Sequence, residues 1–142
     1  MIRGYLLDTN VPSELTRPLP EPRVTDWLAA QNDLHLSVVS IGELRKGLSL
    51  LAPSKRRTQL EDWFAESLLP LVADRILPVT QAVGDRWGTM SADRQLQGKP
   101  LAMADGLIAA TAVEYELTLV TRNVKDFDGL GLTILNPWQR QG

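Results

Sequence analysis

Apolar positions along this chain follow two rhythms, short unbroken runs and stripes spaced three or four residues apart. Their alternation predicts strands interleaved with helices. Residues 2–7 end in the run Tyr5-Leu6-Leu7 and give way to Asp8-Thr9-Asn10, the pattern of a buried strand emptying into a polar loop. Residues 11–15 read as a short helical turn. Pro18, Pro20 and Pro22 force an extended connection, after which Val24, Trp27, Leu28 and Gln31 fall at helical spacing. A second strand is expected over 34–39. Ser40 followed by Glu43 fits a capping box, opening a helix with Ile41, Leu44, Leu48 and Leu51 as its apolar stripe.

Pro53 and Ser54 restart the chain, and Leu60, Trp63, Phe64, Ser67 and Leu68 mark another helix. The short run 75–79 reads as a connector or a strand. Thr80 can cap a longer helix reaching about Leu96, Gly98-Lys99-Pro100 is a turn, and 102–116 form a helix of small apolar residues around Asp105. Strands are expected over 117–121 and 133–135. The whole is a single α/β domain spanning 1–142, with a mainly parallel central sheet flanked by helices.

Composition narrows the chemistry. The 142 residues suffice to bury roughly 68–70% of the unfolded surface, and 44% hydrophobic with 23% charged residues is ordinary globular usage. Cysteine is absent, which removes disulfides, thiolate zinc sites and thiol nucleophiles. The N-terminal stretch is too short for a signal peptide and no apolar run approaches a membrane span, so a cytoplasmic protein is expected. A formal net charge of −2 does not advertise a nucleic-acid binder. It is compatible with one if acids concentrate in a metal site and leave cations elsewhere; Lys55-Arg56-Arg57 is the one clear basic run.

The placement of the acids is the informative feature. In open parallel sheets, sites form beyond the carboxyl ends of strands. Asp8 and Thr121-Arg122-Asn123 both follow predicted strands, and Glu43 lies just past a third. Each acid also has a structural explanation: Asp8 as a turn initiator, Glu43 as the capping-box partner. Asp105 resists one, because its neighbours on both sides are almost all apolar and a buried carboxylate needs a partner. Carboxylates about 5 Å apart at an effective dielectric of about 20 repel by about 3 kcal/mol, so three mutual pairs cost on the order of 10 kcal/mol. A cation among them is therefore expected. Oxygen ligands, a single histidine and no cysteine point to Mg²⁺ or Mn²⁺, and such a site suits phosphodiester hydrolysis. His35, within a strand and the sole histidine, reads as structural.

Four strings taken together resemble the PIN-domain toxins of the VapC type, in their FitB-like branch: Leu6-Leu7-Asp8-Thr9-Asn10, Ser40-Ile41-Gly42-Glu43-Leu44, the stretch from Asp105 through Gly106-Leu107-Ile108 to Ala112, and Thr121-Arg122-Asn123-Val124-Lys125-Asp126-Phe127. The resemblance runs essentially end to end. It implies a metal-dependent endoribonuclease toxin that cleaves cellular RNA, a small antitoxin that blocks it, and a homodimer or dimer of dimers. It also implies that Asp8, Glu43 and Asp105 bind the metal, with the Thr9 and Thr121 hydroxyls orienting the acids or a water. The family commonly has a fourth acid where this chain has Asn123, with Asp126 a short turn later. Either three carboxylates suffice or Asp126 reaches in, and strand alternation places Asn123 on the side of Thr121. A phosphotransferase or receiver domain would also put an acid at Asp8, but the former wants a second acid where this chain has Asn10. A catalytically silent PIN-type RNA- or protein-binding module is the other alternative, and its usual mark is a missing core acid.

Overall fold

Five parallel strands in the order β3-β2-β1-β4-β5 form the central sheet of the computed structural model, which describes residues 4–139. The strands are β1 (Tyr5–Leu7), β2 (Leu34–Ser37), β3 (Ile76–Leu77), β4 (Thr118–Val120) and β5 (Ile134–Leu135). Ile2 and Arg3 of the expected first strand lie outside the described residues. The run 75–79 contributes a strand, pairing Leu36 with Ile76 and Ser37 with Leu77. The chain winds outward from β1 to β2 and β3, then returns to the other side of β1 to lay down β4 and β5. The direction of winding therefore reverses between β1 and β4.

Strand periodicity divides the core into two. Tyr5, Leu7 and Val120 pack with one hydrophobic cluster, together with Val24, Leu44 and Phe64, while Leu6 and Leu119 pack with the other, together with Val83, Ile108 and Phe127. Successive side chains point to opposite faces of a strand, so helices are required on both sides. One side receives α1 (Asn10–Glu14), α2 (Pro22–Ala29), α3 (Val38–Leu50) and α4 (Lys55–Trp63), the last continuing through a π-turn at Phe64–Leu68 into the short α5 (Leu69–Leu71). The other side receives α6 (Gln81–Leu96) and α7 (Met103–Glu114). Pro22 opens α2, where its missing N–H costs nothing. Ser54 and Thr80 cap α4 and α6 by accepting the N–H groups of Arg57 and Val83.

One helix start differs from expectation. The cap of α3 is Ser37, whose Oγ accepts the Val39 N–H at 3.0 Å, and not Ser40. The β-branched pair Val38-Val39 has strand propensity, but the cap immediately before it already turns the chain into the helix. Ser40 is thus inside α3 and fully buried, and Glu43 is carried into the second turn.

Two glycines mark close approaches. A Cβ on Gly4 would lie 2.6 Å from the Asp33 carbonyl oxygen and 2.6 Å from His35 Cε1, so β1 sits against the start of β2 only without a side chain there. His35 Nδ1 lies 3.1 Å from the same Asp33 oxygen, a local structural role. On α7, a Cβ on Gly106 would meet Trp87 of α6 at 2.7 Å. Gly106→Ala should therefore destabilise the fold, because overpacking against a rigid indole costs about 1–3 kcal/mol and outweighs a helix gain of about 1 kcal/mol. Gly84→Ala and Gly88→Ala on α6 meet nothing within 4 Å and should each add about 0.5–1 kcal/mol. Urea melts of the three variants check the sign; Gly106→Ala as stable as the α6 pair would refute the packing described.

Candidate active site

Where β1 and β4 end side by side, their chains leave toward opposite halves of the molecule and open a crevice, the usual ligand position in a doubly wound sheet. Asp8 is the first residue past β1. Its N–H still bonds to the Val120 carbonyl at 2.9 Å, which continues the strand ladder and carries the side chain below the surface; only 4% of Asp8 is exposed. The buried carboxylate is solvated by the protein. Oδ1 accepts the Thr9 N–H at 2.8 Å, and Oδ2 accepts the Thr121 hydroxyl at 2.7 Å and Asn10 Nδ2 at 3.3 Å.

Burial nevertheless dominates, raising the Asp8 pKa above its ordinary value against the lowering effect of these hydrogen bonds, with the charges of Glu43 and Asp126 adding to the rise. Asp105 stands in the first turn of α7. Burial, and then the charges of Asp8, Glu43 and Asp126, raise its pKa from 3.8 to about 6. Four carboxylates from four separate segments therefore share one electrostatic field. Asp105 is only half-buried, less enclosed than its apolar sequence neighbours implied, and its carboxylate accepts no hydrogen bond from the described residues.

The second threonine of the expected set fixes the third acid. Thr9 Oγ1 lies 2.5 Å from Glu43 Oε1 and 2.8 Å from Ser40 Oγ. A hydroxyl has one proton to give, so Thr9 donates to the exposed carboxylate and is left to accept from Ser40. Thr121 plays the matching part on the other side of the crevice: fully buried, it donates to Asp8 and accepts from the Asn123 N–H at 3.0 Å and Asn10 Nδ2 at 3.3 Å.

Beyond Thr121 the chain departs from the alternation that would have carried Asn123 toward the acids. The strand stops at Val120, and Val124–Phe127 wind into a 3₁₀ turn in which the Asp126 N–H bonds to the Asn123 carbonyl at 3.1 Å. Asn123 is exposed and joins the network through its backbone, whereas the charge on Asp126 is felt by both Asp8 and Asp105. The tight turn needed for Asp126 to approach is the one observed.

Sequence reasoning passed over two contributors. Asn10 bridges Asp8 and Thr121 with its amide, and its Oδ1 is buried with no hydrogen-bond partner among the described residues. Its place in the Asp8-Thr9-Asn10 string was the available signal. Ser40 was assigned to a cap and instead buttresses Thr9. Among the described residues, no three Asp, Glu or His side chains stand close enough to enclose an ion by themselves, and no helix is long and apolar enough to cross a membrane.

The chain is similar to known proteins over nearly its whole length. The PIN domain family matches residues 5–130. Toxin FitB of Neisseria gonorrhoeae is 41% identical over 135 residues, 94% of this chain and 97% of that protein. The VapC ribonuclease Y4jK of Sinorhizobium fredii is 38% identical over 136 residues, again 94% of this chain and 97% of the relative. A solved structure of FitAB bound to an IR36 DNA fragment superposes with a TM-score of 0.90 at 38% identity, covering 97% of this chain and 98% of that one. With nearly its whole length accounted for in both sequence and fold, the chain belongs to the PIN-domain family, in the group that includes FitB and the VapC proteins.

Proposed function

We propose that this protein is a divalent-metal-dependent endoribonuclease, the toxin of a toxin–antitoxin pair. The observation that carries the reading is the convergence of Asp8, Glu43, Asp105 and Asp126 on the crevice between β1 and β4, with two of their pKa values raised by burial and by one another. The relatives named as a toxin and as a ribonuclease, each matched over 97% of its length, support it.

The donor set suits Mg²⁺ or Mn²⁺. It offers oxygen alone, its carboxylates are destabilised without a counter-charge, and a buried Asn10 Oδ1 lacks a partner. Mg²⁺ usually keeps several waters and takes only one or two carboxylates directly, so a closed cage of three is not required. Asp8 and Asp105 would hold the ion, with Glu43 and Asp126 contributing charge from the rim. When bound, such an ion polarises a phosphoryl oxygen and lowers the pKa of a water. The protein's own part is positioning. Thr121 and the Thr9 N–H fix the Asp8 carboxylate in one orientation, and Thr9, backed by Ser40, does the same for Glu43.

As a toxin the protein needs a partner to silence it. A small antitoxin is the expected one, docking an apolar helix and presenting an arginine to the carboxylates, and the chain is expected to act as a homodimer or dimer of dimers in the cytoplasm. The FitAB assembly on DNA supports a partnered role.

Purified protein should cleave RNA with Mg²⁺ or Mn²⁺ and stop on addition of EDTA. Asp8→Asn and Asp105→Asn should each lower the rate by more than about 100-fold, beyond the 10–100-fold typical of a supporting group, into which Thr121→Val should fall. Asp126→Asn should weaken the Mg²⁺ dependence more than Asn123→Ala. Cleavage unaffected by EDTA would overturn the metal mechanism, and no cleavage under any condition would favour a silent binding module.

The same electrostatics gives a stability prediction without metal. The Asp105 pKa is raised on folding, so between 3.8 and about 6 the folded state holds more protons than the unfolded one, and stability falls as pH rises through that window. The penalty is complete above it. Asp105→Asn should therefore melt higher than the parent in EDTA at about pH 7.5, with the difference shrinking toward about pH 4. A variant that melts lower at neutral pH would show that Asp105 serves the fold.

A further inference from the structure

Beside the carboxylates stand Arg122 and Lys125, two cations that line one groove with Asp126. Arg122 directly follows Thr121, so its backbone is anchored by the same segment that holds Asp8. Its guanidinium lies over the ring of Trp138, 5.6 Å from the centroid. Trp138 is a fixed platform: it is buried, and its indole N–H reaches Glu14 Oε1 at 3.4 Å. Arg17, Arg23, Arg45, Arg57 and Arg86 each form an ion pair with a glutamate. Arg122 and Lys125 form none among the described residues, and neither do Arg56, Arg75 and Arg94, whose guanidiniums bond instead to backbone carbonyls. Arg122 and Lys125 are both exposed. With Asn123 and Asp126 they line a groove of about 390 Å³, and Asp126 is the acid through which that groove meets the field of Asp8 and Asp105.

We propose that this groove seats the RNA strand next to the bond being cut, with Arg122 gripping the neighbouring phosphate and Lys125 supplying a second positive charge. The inference rests on the ribonuclease reading and adds the surface on which substrate is held. Stacking occupies only the face of a guanidinium and leaves its in-plane N–H donors free, the arrangement that suits bidentate contact with a phosphate. A pre-stacked arginine also loses less freedom on binding than a mobile one. The need is acute here, because a chain with a formal net charge of −2 has no general attraction for a polyanion and must hold it with local cations. The groove's volume falls within the range of small-ligand pockets, a fit for a nucleotide unit of a single strand.

Steady-state cleavage of a single-stranded oligoribonucleotide is measured for the parent protein, Arg122→Gln, Arg122→Lys and Lys125→Gln, with melting curves for each. Binding of the same oligonucleotide is followed by anisotropy across a KCl series in an Asp8→Asn background. Arg122→Gln should raise KM and Kd on the order of 10-fold, the value of a charge-assisted hydrogen bond, with kcat within about twofold. It should also reduce the slope of log affinity against log salt by about 0.7, the loss of one phosphate contact on a single strand. Arg122→Lys should keep the slope and recover only part of the affinity. Lys125→Gln, at an exposed site, should lower the slope without changing the melting temperature. If the parent cleaves RNA while neither glutamine variant moves KM or the salt slope, the groove is not the substrate seat. If those variants instead lose binding only to an acidic peptide or protein partner, the groove belongs to that partner and the proposal is likewise overturned. A parent protein that neither binds nor cleaves RNA would remove the ribonuclease reading itself.

Discussion

A carboxylate buried at the carboxyl end of a parallel strand has to be solvated by the protein, and in this molecule that task falls to Thr121. Its hydroxyl reaches Asp8 Oδ2 at 2.7 Å from the end of the neighbouring strand, and the contact exists because β1 and β4 are adjacent, parallel and in register, Leu7 opposite Val120. A slip of one residue between the two strands would turn one of these side chains to the opposite face of the sheet and break the contact. The topology makes the contact useful as well: the chain leaves β1 and β4 toward opposite layers, which opens a crevice between the two strand ends. The remaining acids then arrive from helices packed on the two sides, Glu43 from α3 and Asp105 from α7.

Gathering charge in this way opposes folding. Burial and mutual repulsion raise the pKa of Asp8 and of Asp105, and a fold that accepts this must recover the stability elsewhere. Two continuous apolar clusters, one on each face of the sheet, supply it, and the contact of α6 with α7 through Trp87 and Gly106 holds the Asp105-bearing helix close to its neighbour. Glu14 is the contrast. It is also buried, but the Glu21 N–H at 2.9 Å, Arg17 and the Trp138 indole satisfy it, and the first of these contributes most to holding its pKa below the ordinary value. One buried acid is a fully bonded clasp between α1, the proline-rich connection and the C-terminal segment; at the crevice, burial and neighbouring charge raise the pKa of Asp8 and of Asp105.

Local pattern was enough to read much of this from the sequence. Apolar runs ending in polar strings located the strands and, through them, Asp8 and Thr121; the run at 117–121 and the string after it held to within a residue or two. The features that escaped depend on backbone geometry or on distant partners. Ser40 read as a cap because Glu43 completes a capping box, whereas the strand ends at Ser37 and the helix starts there, so Glu43 was misplaced by a turn of helix. Glu14 looks like a surface residue of a short helix, because its partners lie 7 and 124 residues away. Asp126 was weighed against Asn123 by extending a strand rhythm that in fact ends at Val120. The repulsion among the acids was anticipated in kind, though Asp105 proved less enclosed than its neighbours suggested, because the first turn of α7 faces the open crevice.

In the function proposed above, the carboxylates at the junction of β1 and β4 hold a divalent cation. Anomalous diffraction from crystals of the protein equilibrated with Mn²⁺ addresses it most directly, since it locates the ion without reference to activity. A single strong peak is expected between the Asp8 and Asp105 carboxylates, lost in Asp8→Asn. A peak elsewhere on the molecule, or none at saturating Mn²⁺, would contradict it.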